Sequence, residues 1–412
     1  MPSPNGVAPL PPVAVADRGA ARLAAGHPWV YRSDVLAPPA RAGFAPVVDR
    51  RGRPLGWAAV HPTSQIAVRW VHAGDAPVDA ALLLARLDAA LERRAALARD
   101  PDAAMDGVTG TRLVHAEADG LPGLVVDRLG PVLVVQSGCA AIEPHLPALV
   151  ARLVARLAPE GVLGRFDAKA RALEGLPTDV AVLHGQVADT VEVHDGLLTW
   201  SVDPRAGQKT GAFLDQRLNH RRFASAARTY AGSGFRALDA FAYHGGFGLH
   251  LLRAGAATVE LVDASAAALA AARTAAARNG LPEPACVRAD AFERLRALDR
   301  AGARFEAISV DPPALAKRAK DLPRAMAGYK ELNLRALRLL APGGVLGTSS
   351  CSAHLQEAEF LNVLADAAAD ATAQGGRTVH VLGRWGAAPD HPERLGFPES
   401  RYLKFVLLRA VD

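Results

Sequence analysis

The sequence predicts an α/β chain that ends in a doubly wound parallel sheet and begins with a β-rich domain followed by a small α+β unit. Three observations predict it. From about residue 235, apolar strand-like segments alternate strictly with helices of roughly 10–15 residues, as βαβ units do. From about 13 to 73, apolar and polar residues alternate around a glycine turn, as half-buried strands do. Between these stretches the two periodicities mix.

The first residues, MPSPNGVAPLPP, lack a basic start and an apolar run, so 1–12 reads as a disordered leader and not a signal peptide. Residues 13–75 read as β-rich, carried by FAPVVDRRGRPLGWAAV and SQIAVRWV. Residues 76–190 form the α+β unit. DAPVDAALLLARLDAALERRAALA has helical spacing, TRLVHAEADGLPGLVVDRLGPVLVVQSG reads as two strands turning at Leu129–Gly130–Pro131, and a second helix lies near 143–157. From 191 to 412 a hairpin turning at Asp195–Gly196 leads into the alternating domain. Its strands are FRALDAFA, TVELVDA, PACVRAD, FEAISVD and GGVLGTSS.

Composition excludes several classes. The 412 residues are 50% hydrophobic and 22% charged, enough for two or three real cores and too apolar for a disordered chain. No apolar run reaches the ~18 residues of a membrane span. Three scattered cysteines, Cys139, Cys286 and Cys351, give neither a disulfide framework nor a zinc spacing and fit a reducing cytoplasm. The net charge of +5 is compatible with a polyanionic partner. Only six of the 47 basic residues are lysine, and the Arg and Ala excess reflects a GC-rich genome. Four of those lysines, Lys209, Lys317, Lys320 and Lys330, fall in or beside the motifs below.

The first alternating strand ends in D239-A-F-A-Y-H-G-G-F-G248, where Gly245, Gly246 and Gly248 allow a tight turn that a ligand can approach. An ordinary βα turn would look similar. The second strand adds Asp263, 24 residues after Asp239, where an acid can bind both hydroxyls of a ribose. The third ends in Asp290–Ala291–Phe292, an acid and an aromatic suited to adenine. The glycines do not follow G-x-G-x-x-G and no G-x-x-x-x-G-K-[ST] exists, which disfavours a nicotinamide cofactor and a nucleoside triphosphate. An adenosyl ligand without a pyrophosphate suits the loop, and S-adenosylmethionine is the expected cofactor. The expected contacts are Gln208, Lys209, Asp239, Phe241, Tyr243, Gly245, Gly246, Gly248, Asp263, Ala264, Ser265, Asp290, Ala291 and Asp311.

The fourth strand ends in Asp311–Pro312–Pro313–Ala314 and the fifth in T348-S-S-C-S352. Enzymes that methylate exocyclic amino groups usually carry an aromatic where Ala314 stands, which counts against that chemistry. Adjacent strand ends bring Asp311 and Cys351 to one pocket. A thiolate adding to C6 of cytosine would make the sluggish C5 nucleophilic, and a protonated Asp311 could hold N3. The plain alternative is a buried cysteine acting as a small hydrophobe, which is how Cys139 and Cys286 read. G207-Q-K-T-G-A-F-L-D-Q-R217 packs Gln208, Lys209, Thr210, Asp215, Gln216 and Arg217 into one turn, and Lys209 or Arg217 could favour the Cys351 thiolate. Lys317, Arg318, Lys320 and Arg324 read as a solvated face or a phosphate grip.

Over nearly its whole length the chain resembles bacterial class I ribosomal RNA methyltransferases of the large-subunit cytosine-5 type. The resemblance rests on A25-G-H-P-W-V-Y31, H115-A-E-A-D-G-L-P-G-L-V-V-D127, G207-Q-K-T-G-A-F-L-D-Q-R217, D311-P-P-A, G328-Y-K-E-L-N333, T348-S-S-C-S352 and G396-F-P-E-S-R-Y402. It implies a PUA RNA-binding domain at 13–75, a central α+β domain at 76–190 and a Rossmann-like S-adenosylmethionine-dependent methyltransferase domain at 191–412. It also implies C5 methylation of a cytosine in 23S rRNA, with Cys351 as nucleophile and Asp311 beside it. Trp29, Arg32, Arg69, Lys209, Arg217, Lys317, Lys320 and Lys330 are the expected RNA contacts. The expected partners are ribosomal RNA, naked or in a precursor particle, and a second copy of the chain as an open alternative. His244, Ala212 and Leu315 depart from residues usual in that family. A related group that methylates guanine N7 lacks the cysteine. Another acceptor, or a non-catalytic RNA-binding role, remains the rival reading.

Overall fold

Alternation from residue 13 to 72 becomes a five-stranded sheet in the computed structural model, which describes residues 10–207, 212–316, 318–373 and 378–411. The strands are β1 (Val13–Val15), β2 (Trp29–Tyr31), β3 (Gly43–Asp49), β4 (Pro54–Val60) and β5 (Ile66–His72), in spatial order β1-β3-β4-β5-β2. Every second residue of β3 from Ala45 to Asp49 is buried, so one face of the strand meets the core. One helix, α1 (Asp17–Ala24), lies in the stretch read only as β-rich. Asp17 in its first turn and Arg22 in its last complement the helix dipole in a segment too short to show periodicity.

A second sheet follows, in order β10-β9-β8-β7-β6. It is built from β6 (Gly110–His115), β7 (Leu124–Leu129), β8 (Val132–Ser137), β9 (Gly161–Arg165) and β10 (Val180–Gly185), with α2 (Ala80–Leu97), α3 (Leu146–Leu157) and the short α4 (Lys169–Leu173). Asp79 caps α2 by accepting from Leu82 N at 2.8 Å, and Leu83, Leu87, Ala90 and Leu91 form its buried stripe. Ala59 and Val71 of the first sheet share a core with Leu87, Leu133 and Val162. The edge strand β10 had no clear signal, since none of its residues is buried.

The chain divides into two compact units that are not contiguous in sequence. One comprises 1–196, 202–214 and 389–400; the other comprises 197–201, 215–388 and 401–412. The hairpin of β11 (Val191–His194) and β12 (Thr199–Val202) carries the expected Asp195–Gly196 turn. In the first unit, the returning segment packs Phe397 edge-on against Trp29 at 4.6 Å and sets Glu399 3.0 Å from His27 Nε2.

The second unit is a seven-stranded sheet in order β15-β14-β13-β16-β17-β19-β18. Its strands are β13 (Arg236–Ala240), β14 (Thr258–Asp263), β15 (Ala285–Arg288), β16 (Phe305–Val310), β17 (Leu340–Ser350), β18 (Thr378–Trp385) and β19 (Lys404–Val411). The helices are α5 (Arg217–Ala231), α6 (Gly246–Arg253), α7 (Ala266–Arg278), α8 (Ala291–Arg300), α9 (Leu322–Leu339) and α10 (Glu357–Ala373). β13 to β17 run parallel as expected, but β19 is antiparallel to both β17 and β18, so the all-parallel expectation fails at this edge. Strand order reverses at β13, which lies between β14 and β16, and open sheets bind ligands at the carboxyl ends of strands flanking such a switch. The Gly245–Gly248 turn and Asp311 both sit there. Leu238, Ile308, Leu346, Tyr329 and Phe360 centre the core beneath it. No helix among the described residues is long and apolar enough to cross a membrane.

Candidate active site

The turn after β13 is held from below. The Asp239 carboxylate, 1% exposed, accepts from Gly248 N at 2.8 Å and from Ser309 Oγ at 2.6 Å. Burial pushes this carboxyl up to about 7, against those two hydrogen bonds, which favour its charged form. Asp239 therefore anchors the turn and does not present its side chain to a ligand, contrary to the expectation of direct cofactor contact.

Above it the backbone is unusual. Phe241 and Tyr243 adopt left-handed conformations, with φ of 64° and 47°, and Gly245 follows at 82°. Two non-glycine residues in this region store strain that the surroundings must hold, as happens at ligand sites. Asp263, half-exposed at the end of β14, provides the hold. Its Oδ2 accepts from Tyr243 N and its Oδ1 from Ser265 N, both at 2.8 Å. Ser265 in turn caps α7 by accepting from Ala268 N, with Ala264 exposed between. Gly248 lacks a Cβ for packing: one would meet Leu261 Cδ2 at 2.2 Å. A Cβ on Gly246 would meet the His220 ring at 2.5 Å.

Asp290 caps α8 by accepting from Glu293 N and stays exposed, while Ala291 is buried in the core and so cannot touch a ligand with its side chain as expected. Phe292 meets Phe241 edge-on at 6.1 Å beside them. His244 lies 4.8 Å from the Tyr243 ring and 5.7 Å from Trp200.

The neighbouring strand ends carry the reactive groups. Cys351 is half-buried, with Sγ 3.9 Å from the Pro312 carbonyl, so β16 and β17 do bring the thiol beside the Asp311–Pro312–Pro313 turn. Gln216 Nε2 donates to Asp311 Oδ2 at 3.0 Å and to Ser349 Oγ at 3.1 Å, and its carbonyl accepts from Asn219 Nδ2 at 2.8 Å. The serines flanking Cys351 converge on one phenol: Ser350 and Ser352 each lie 3.0 Å from the buried Tyr329 hydroxyl. Burial raises the Tyr329 pKa, which keeps it a neutral donor. The GYKELN motif thus serves the cysteine turn through its tyrosine.

Sequence reasoning missed Lys404. It stands opposite Ser350 in the β17–β19 register, and its Nζ donates to Ser352 O at 2.7 Å and Tyr402 O at 2.9 Å. Burial pulls its ammonium down to about 8, while interaction with Cys351 opposes the shift. The signal was available in the scarcity of lysine, since Lys404 is one of six. Cys139 and Cys286 behave as expected of packing residues, with burial pushing Cys139 up to about 12 and raising Cys286.

Several expected RNA contacts are placed otherwise. Trp29 Nε1 donates to Glu117 at 2.9 Å, and Arg69, only 12% exposed, bridges Glu117 and Glu174, so both are consumed internally. Arg217 is 2% exposed within α5 and not at a surface. Lys330 pairs with Asp370 at 3.1 Å. Arg32 and Lys320 remain exposed. Gln208, Lys209, Thr210 and Lys317 lie outside the described residues.

Residues 13–72 match the PUA-like domain family, and residues 176–406 match the S-adenosylmethionine-dependent methyltransferase family. A Shewanella amazonensis protein named "Ribosomal RNA large subunit methyltransferase I" is 38% identical over 93% of this chain and 95% of its own. A Deinococcus radiodurans "Ribosomal RNA large subunit methyltransferase" is 39% identical over 99% of this chain and 100% of its own. The chain belongs to the large-subunit ribosomal RNA methyltransferase I family. Members of this family depend on S-adenosylmethionine, and that is the cofactor here. The fold of the family is seen in a Streptococcus mutans protein described as a candidate SAM-dependent methyltransferase, with a TM-score of 0.80 at 18% identity over 97% of this chain and all of that one. A second solved chain with the same score and identity was complexed with SAH.

Proposed function

We propose that the protein methylates C5 of a cytosine in large-subunit ribosomal RNA, with Cys351 as nucleophile. The observation that carries this reading is the seating of the Cys351 thiol against the Asp311–Pro312–Pro313 turn, 3.9 Å from the Pro312 carbonyl. The names of the relatives support the RNA class; a thiol at this strand end supports the reading of C5 as the position methylated.

The residues present suit S-adenosylmethionine. The half-exposed Asp263 carboxylate would hold the ribose hydroxyls, the strained Phe241–Gly245 backbone would approach the amino acid end, and the Phe241–Phe292 pair with Asp290 would take the adenine. The bound cofactor supplies an electrophilic methyl group. Asp239 acts only as the anchor of the turn.

On the substrate side, addition of the Cys351 sulfur to C6 opens the C5–C6 double bond and moves its electron pair toward C5 and N3. Asp311, positioned by the hydrogen bond from Gln216 Nε2 to its Oδ2, would share a proton with N3 as charge develops there. Once C5 carries the methyl group, transfer of the C5 proton to a base returns the C–H electron pair to the ring as the C5–C6 double bond and expels the sulfur as thiolate. Both faces of the base must be reached, so the cytosine is unpaired or flipped out. Arg32 and Lys320, exposed and basic, are available to meet phosphates.

The test uses RNA bearing 5-fluorocytidine at the target, which has no C5 proton to lose. Wild type should give a denaturation-resistant protein–RNA complex, absent in Cys351→Ala and retained in Cys139→Ala and Cys286→Ala. If Cys351→Ala methylates at the parental rate, the cytosine-5 reading is wrong and guanine N7 becomes the leading acceptor.

A further inference from the structure

An open cavity of about 500 Å³ lies within the N-terminal unit, which does not contain Cys351, and three arginines line it. Arg86 and Arg93 stand seven residues apart on α2, close to two full turns, so they project from one face of the helix. Arg394 comes from the returning segment, over the face of Trp70 at 5.5 Å. The carboxylates nearby are already engaged. Glu117 is held by Arg69 at 2.6 Å and by Trp29. Asp119 takes a two-pronged contact from the buried Arg94, at 2.7 Å on each oxygen, and the His115 amide.

What remains on the cavity side is cationic. Arg86 donates to the carbonyls of Gly120 and Val71, at 3.1 and 3.0 Å. Arg394 donates to the carbonyl of Glu117 at 3.2 Å. Among the described residues neither forms an ion pair with a carboxylate, and Arg93 shares with Arg94 an Asp119 that Arg94 already neutralises. Burial and repulsion from Arg394 and Arg93 hold the Arg86 pKa below its usual value. Arg93 and Arg394 both repel Arg86 beside an open cavity, a local field that an anion would relieve.

We propose that this cavity binds a phosphodiester of the RNA backbone, making it a docking site distinct from the catalytic strand ends. Planar guanidinium forks match the paired oxygens of a phosphate, and an extended polyanion presents such groups in series. The assignment of RNA, in preference to a small anion, rests on the reading of the protein as an rRNA methyltransferase. Phosphate contacts of this kind fix register without reading sequence, which is what a docking point outside the catalytic unit must do. The family motif around Glu117 and Asp119 gains a role from this: its acids neutralise the inner arginines and leave the outer ones for the ligand.

The test measures binding of a large-subunit rRNA fragment to full-length protein across a potassium chloride series. Arg93→Gln and Arg394→Gln together should weaken binding at least tenfold at low salt. They should also reduce the slope of log affinity on log salt by about 0.7–0.9 for each phosphate no longer neutralised. S-adenosylmethionine affinity and the 5-fluorocytidine adduct of the bound fraction should be unchanged, which separates this site from the catalytic reading. Arg93→Lys with Arg394→Lys should retain most of the slope; a reduction equal to that of the glutamine pair would mark a packing defect and overturn the proposal. Arg99→Gln, exposed beyond the end of α2, should leave the slope intact. Unchanged affinity and slope in the glutamine pair would also overturn it. So would tight saturation by inorganic phosphate alone with no change in RNA binding, which would make the cavity a free-anion site.

Discussion

The side-chain amide of Gln216 donates to Asp311 Oδ2 at 3.0 Å and reaches Ser349 Oγ at 3.1 Å, so one residue ties together the ends of two neighbouring strands. Asn219, one turn further along, donates to the Gln216 carbonyl and so fixes which end of the amide faces the acid. Gln216 is a positioning residue for Asp311. Replacing Gln216 with Ala should lower kcat roughly 10- to 100-fold, the value of about 1.5–3 kcal/mol for a hydrogen bond to a charged group, with S-adenosylmethionine affinity unchanged. Single-turnover methylation beside cofactor calorimetry checks this. Equal losses in both would mean that Gln216 supports the fold generally.

Asp263→Ala should weaken S-adenosylmethionine binding by about 1.5–3 kcal/mol. The carboxylate also restrains Tyr243 N and Ser265 N, so the effect combines a missing ligand contact with a loosened turn. Isothermal titration measures it. Unchanged affinity would remove this turn from the cofactor site.

Arg69→Met should destabilise the N-terminal unit by about 3–5 kcal/mol, because it strands the nearly buried Glu117 and Glu174 carboxylates without their cation. Adding Glu117→Gln should recover part of the loss. Urea unfolding followed by tryptophan fluorescence reports it. A loss below about 1 kcal/mol would show that the acids find other partners.

Lys404 gives a pH signature. Its folded-state pKa is depressed to about 8 from 10.5, chiefly by burial. Between those values the unfolded chain holds a proton that the folded chain has released, so this residue makes stability rise with pH across about 8 to 10.5. Below 8 the penalty of the buried charge is constant. Subtracting the profile of Lys404→Met from that of wild type should isolate this rise. At neutral pH the same variant should slow adduct formation several-fold, since it removes a cation beside the thiol. A flat difference profile would place Lys404 in water.

Much of the second unit was legible because parallel strands and their crossover helices leave long, regular patterns. Asp263, Asp311 and Cys351 stand at strand ends that the sequence marks with an acid, a proline pair or serines. The scarcity of lysine singles out Lys404, but its place was not legible, because β19 is antiparallel and supplied after a long connection, so nothing local ties it to β17. Asp239 carried the right signal for its place and the wrong one for its role, since no pattern tells a carboxylate in the ligand cleft from one beneath it. Trp29 and Arg69 resembled RNA contacts because the acids that claim them, Glu117 and Glu174, come from 88 and 105 residues further along. Periodicity sees neither.

The segment 389–400 completes the N-terminal unit from almost the far end of the chain. Trp29 receives Phe397, His27 receives Glu399, and Arg94 receives the Asp390 carbonyl at 3.0 Å. During synthesis, domains ordinarily close as they leave the ribosome, first residues first. Here the first 196 residues emerge without the strap that covers Trp29, and must wait for nearly two hundred more before the unit can close. A nascent chain stalled before residue 389 would carry an uncovered tryptophan at its oldest end. Premature termination near the C-terminus should therefore be felt at the opposite end of the sequence.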